Sequence, residues 1–190
     1  LNYDEESLHN ELIELVQNHD EAAAERLVHA LRRNKKLKNT FPCDAIKWLV
    51  KIINDIQTTD SWSIKFVYLN WLSLLVLTPF QLSRFHSDVE IQLDKIVRLS
   101  IENELLIDPT IQLIHSLYSR PDYQLKINEL IYSFEVKLNH LKALNALLKC
   151  QAKRAIEKET LKKLIKNVFQ IKTQSEVVIR LKVKILINAI

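Results

Sequence analysis

Six histidines, His9, His19, His29, His86, His115 and His140, are the first residues to try as proton carriers or metal ligands. The first three recur at ten-residue steps, which turn about 280° each time around a helix, so they do not share a face. No HExxH and no other i, i+4 histidine pair occurs, and the ligand spacing of a helical zinc site is therefore missing. Glu5-Glu6, Glu102 with Glu104, and Glu157 with Glu159 bring carboxylates together without an apolar cleft implied around them. They read as helix-start charge or solvated faces. Cys43 and Cys150 fit no zinc or redox spacing and read as small buried hydrophobes. No catalytic residue, cofactor or metal is expected.

The absence of glycine narrows the chemistry further. Dinucleotide fingerprints, phosphate loops, nucleophile elbows and EF-hand loops all need a residue that accepts positive φ or close backbone approach. Tight hairpins want glycine as well, which disfavours a sheet protein. With 47% apolar and 26% charged residues the chain can bury a core. The expected fold class is all-α, and an enzyme is not expected.

Charge is the chemistry that remains. Net charge is +4, but residues 1–31 hold eight acids and one base, whereas residues 137–190 hold 13 bases and three acids. The middle, 32–136, is nearly neutral. Lys158, Lys162, Lys163, Lys166 and Lys172 fall on two successive predicted helices, and the i, i+4 spacing of Lys158, Lys162 and Lys166 puts three ammonium groups on one face. Such a field suits an anionic partner, as an alternative to a plain solvated face. Aromatic residues near it are few, with Phe169 alone at apolar spacing, so a nucleic acid is the weaker choice of anion. Trp62 sits in the polar joint of Thr59, Asp60, Ser61 and Ser63, and is the tryptophan best placed to anchor a partner. Trp71 belongs to the core.

The elements that would position these residues follow from apolar spacing, which gives about ten helical segments separated by short polar or proline-marked joints. Leu8, Leu12, Leu15 and Val16 make one face; Ala24, Leu27, Val28 and Leu31 make the next. Phe41-Pro42 opens a helix carrying Ile46, Leu49, Val50 and Ile53, with proline in the first turn. Residues 63–77 are apolar almost all round, as expected of a helix held between neighbours, and Thr78-Pro79 stops them. Further helices are expected at 91–101, 108–118, 127–138, 141–148, 161–169 and 177–187. No apolar run is long enough to span a membrane. Residues 1–14 are acidic where a secretory leader would be basic, so no signal peptide is expected. Pairing the helices gives a period of roughly 40 residues, that of HEAT and armadillo arrays. An ordinary bundle could show the same count, so spacing leaves solenoid and bundle both open.

Residues 68–84 hold Trp71-Leu72-Ser73, then an apolar stretch, then Pro79-Phe80-Gln81-Leu82-Ser83-Arg84. Together with Phe41-Pro42 upstream and Tyr118-Ser119-Arg120-Pro121-Asp122 downstream, this pattern resembles the tubulin-folding cofactor D (tubulin-specific chaperone D) family. The likeness runs from about Phe41 to Asp122. Gln81 stands where the family usually has an acid, and the passage from Arg84 through Phe85-His86-Ser87 is shorter than the family's glycine-bearing loop. The resemblance implies a HEAT-type α-solenoid, of which residues 1–190 would be an N-terminal portion. It also implies a cytoplasmic, cytoskeleton-associated protein, without enzymatic activity of its own. Such a protein binds β-tubulin and acts with tubulin cofactors C and E and an Arf-like small GTPase. No family binding residue maps onto a numbered position. Lys158, Lys162, Lys163, Lys166 and Trp62 are the partner-binding candidates from the residues themselves. An adaptor for another acidic protein and a nucleic-acid-binding helical domain stay open beside the tubulin reading.

Overall fold

The computed structural model describes residues 10–11, 13–15, 18, 20, 22–24, 26–27 and 45–189, except 79, 85, 86, 136 and 150. Among the described residues every regular element is helical. Both cysteines, the Phe41-Pro42 helix start and the Phe85-His86 passage lie outside them, as do His9, His19, His29 and His86. The chain divides into two compact units, Leu1–Val97 and Arg98–Ile190.

In the first unit, Leu15, Ala23, Ala24 and Leu27 are buried. Asp20 Oδ1 accepts the N–H groups of Ala22 and Ala23 at 2.9 and 3.2 Å, capping the helical residues that follow. Helix α1 (Ala45–Thr58) buries Trp48, Leu49, Ile52, Ile53 and Ile56, the i, i+4, i+8 pattern of one face. Lys51 and Asp55 pair at 3.2 Å on its flank.

Helix α2 (Trp62–Leu75) packs on α1, with the Trp48 and Trp71 rings 5.7 Å apart. Its apolar surface goes nearly all the way round, and two of its polar residues turn back on the backbone of the helix: Asn70 Nδ2 donates to Phe66 O at 2.8 Å, and Ser73 Oγ to Asn70 O at 2.6 Å. Such local bonds let a polar side chain enter a buried helix without stranding its donors. The helix closes at Leu75, short of the expected Leu77, because Val76 to Thr78 already make turn bonds to Leu72, Leu74 and Leu75. Helix α3 (Val89–Ile101) buries Val89, Leu93, Ile96, Val97 and Ile101, and the division between the units falls within it.

The second unit holds α4 (Ile107–Tyr118), α5 (Ile127–Tyr132), α6 (Leu138–Lys149), α7 (Lys158–Gln170) and α8 (Glu176–Ala189). Helix α6 packs against both α4 and α8, while α7 packs against α5 and α8. Pro109 lies in the first turn of α4, where a missing N–H leaves no helix bond unmade.

The single helix expected over 127–138 is two elements. Apolar spacing runs on through Phe134 to Leu138, but the backbone breaks after Tyr132. Ser133 Oγ caps Leu130 O at 2.7 Å, and His140 Nδ1 takes the Glu135 N–H at 2.8 Å. Residues 133–135 and 137 thus lie in a joint, and Leu138 starts α6.

Candidate interaction surface

Helix α7 faces two ways. Thr160, Leu164 and Val168 are buried along one i, i+4, i+8 row. Lys158, Lys162 and Lys166 lie about 160° around the helix from that row, and all three are exposed. The burial of one row dictates the exposure of the other. The start of α7 is held by Asn128, whose Nδ2 donates to Ala155 O at 3.3 Å while its Oδ1 accepts the Glu157 N–H at 3.1 Å. Its far end is held by Lys182, whose Nζ donates to the carbonyls of Phe169 and Ile171 at 2.7 and 3.3 Å. An ammonium there complements the negative end of the helix dipole.

Part of the basic charge is therefore structural. Lys182 is spent on this cap and sits 5.2 Å from the centre of the Phe169 ring. Lys162 pairs with Glu159 at 2.7 Å, and Arg180 pairs with Glu176. Lys163 lies over the Tyr132 ring at 5.6 Å. Among the described residues Lys158 and Lys166 make no ion pair, and these two are most available to a partner. Lys172 is in the non-helical link 171–175, off the helices expected to carry it.

Trp62 opens α2 and is 45% exposed, whereas Trp71 is buried. Trp62 belongs to the first unit and the four lysines to the second.

Two constellations escaped the sequence. His140 is buried, and because its Nδ1 accepts a backbone N–H, its Nε2 carries the proton toward Glu102 Oε1, 2.9 Å away. Phe134 stacks on the imidazole at 5.3 Å. Lys137 bridges Glu102 and Glu135, each at 3.0 Å. Its hydrogen bond holds the Glu102 carboxyl below the ordinary carboxylate range, with the His140 ring adding to the effect. This cluster ties the end of α3 to the start of α6, helped by Asn139 Nδ2 on Ile101 O at 3.0 Å. Two of its members, Phe134 and Glu135, also line the groove described next. Among the described residues no group of three or more His, Cys, Asp or Glu could hold a metal ion.

The second is a half-open groove of about 130 Å³ whose walls include Ile131, Leu141, Leu144, Leu164 and Val168. Tyr132, Lys163 and Asn167 stand at its lip. Its walls come from three helices, a conjunction that periodicity along one helix does not reveal.

Of the residues quoted for the family likeness, Trp71, Leu72, Ser73, Leu82, Tyr118 and Arg120 are buried, whereas Phe80, Gln81, Ser83 and Arg84 are exposed. Leu82 is buried in a 3-10 turn, Leu82–Arg84, beside exposed Gln81. Arg120 is buried and grips Asp122 with a two-pronged bond, Nε to Oδ1 at 3.0 Å and Nη2 to Oδ2 at 2.8 Å. Pro121 between them fixes the turn, and Tyr118 meets Tyr123 edge to face at 5.2 Å.

A family model described as "Tubulin-specific chaperone D-like, ARM repeat" matches residues 6–138. No curated protein and no solved structure matches the chain. The matched stretch contains α1 to α5 and ends on the first residue of α6, so the lysine row of α7 lies beyond it. Among the described residues no helix is long and apolar enough to cross a membrane.

Proposed function

The chain belongs to the tubulin-specific chaperone D-like ARM-repeat family, and on that premise we propose that it is a non-enzymatic scaffold for β-tubulin. It acts with tubulin cofactors C and E and an Arf-like small GTPase to assemble or dismantle the αβ-tubulin heterodimer. The observation that carries this reading is the family match over 6–138. The mechanism is differential binding, in which a helix-lined surface holds one subunit in a state that its partner or the GTPase then remodels. GTP hydrolysis in such a system is the work of tubulin and the GTPase.

The exposed lysine row supports an acidic client, and tubulin's surface is acidic. Mixing the purified chain with αβ-tubulin and separating complexes by size tests the proposal. A stable complex containing β-tubulin is the expected result; two non-interacting peaks at low ionic strength contradict it. The position of the row beyond the matched stretch also favours a second reading, an adaptor for another acidic protein. In that case the same basic face would be in use while tubulin stayed unbound.

A further inference from the structure

We propose that the groove between α5, α6 and α7 is a docking site for an acidic peptide segment that inserts one apolar side chain, leucine- or phenyl-sized. It deepens the tubulin reading by naming what the basic unit takes hold of, and rests on that reading only for the identity of the natural client. An apolar cavity of ~150 Å³ accepts a benzene-sized group, and the groove offers about 130 Å³ between Ile131, Leu141, Leu144, Leu164 and Val168. One anchor fills it.

The lip specifies charge. Thr160 Oγ1 donates to Tyr132 Oη at 2.9 Å, so the phenol spends a lone pair on the wall and has its own proton to give outward. Lys163 stands over the same ring. The one carboxylate lining the groove, Glu135, is matched by Lys137 at 3.0 Å. The lip therefore presents a hydroxyl donor and one ammonium group beside an apolar floor, in a stretch, 137–190, with 13 bases and three acids, which fits a carboxylate-rich segment flanking a hydrophobic residue.

The test uses the full chain and a fluorescent peptide of Asp and Glu residues with one central Phe. Replacing that Phe by Ala should weaken binding about 10- to 100-fold. Asn167→Leu fills the groove from an exposed lip position and should weaken the Phe peptide by a similar factor while thermal unfolding stays put. Tyr132→Phe should cost about 3- to 10-fold, and Lys163→Gln should flatten the salt dependence. Equal affinity of the Phe and Ala peptides, or no binding of either, overturns the inference. The two proposals fail separately. Tubulin bound without peptide binding sinks the groove alone, and Phe-dependent peptide binding without tubulin sinks the tubulin reading alone.

Discussion

Helices α2 and α7 are nearly equal in length, 14 and 13 residues, and are built on opposite plans. Helix α2 buries ten residues and turns Asn70 and Ser73 back on its own backbone. Helix α7 buries three and leaves a lysine row outward. The pattern that marks the family is concentrated in and just after α2 and in the Arg120-Asp122 turn, and Trp71, Leu72, Ser73, Leu82, Tyr118 and Arg120 of it are buried. The charges that could meet a client sit on α7, beyond the matched stretch. The family match and the candidate contact residues thus lie in different parts of the chain, and mutations should separate them.

The largest effect is expected from Trp71→Ala, which empties a fully buried site against Trp48 and should cost about 3–5 kcal/mol. Thermal or denaturant unfolding checks it, and a loss below 1 kcal/mol would mean that α2 is not the packed helix described. Next comes Arg120→Ala, which strands the half-buried Asp122 and removes a bidentate bond, for about 1.5–3 kcal/mol.

A smaller effect is set by pH. Burial, with the charge of Asp55 adding, pushes the Tyr68 phenol well above its ordinary value, and its O–H reaches Leu15 O at 3.4 Å. The fold keeps this proton while the unfolded chain loses it near pH 10. Stability from Tyr68 is therefore complete below about pH 10 and falls as pH rises beyond it. Tyr68→Phe should flatten that alkaline slope in unfolding experiments. The smallest effect on stability, within about 0.5 kcal/mol each, belongs to Lys158→Glu and Lys166→Glu, whose side chains leave the core untouched.

Apolar periodicity located α1 to α4 and α6 to α8 to within a few residues, because each has one buried row or an unbroken apolar surface. It merged α5 with the start of α6, because the break is made by His140 and Ser133 without glycine or proline to announce it. The lysine row was legible from i, i+4 spacing, but its partial neutralisation was not. Lys182 reaches back 13 residues to cap α7, and Lys163 finds a ring 31 residues upstream at Tyr132. The groove was illegible for the same reason, since its walls converge from three helices.

The most direct test of the account is β-tubulin capture across a salt series by the wild-type chain and by the variant carrying Lys158→Glu, Lys162→Glu and Lys166→Glu. Capture that weakens with salt in the wild type, and is lost in the folded variant, is the predicted result. Capture unchanged in strength and in salt dependence would contradict it and place the contact elsewhere than on α7.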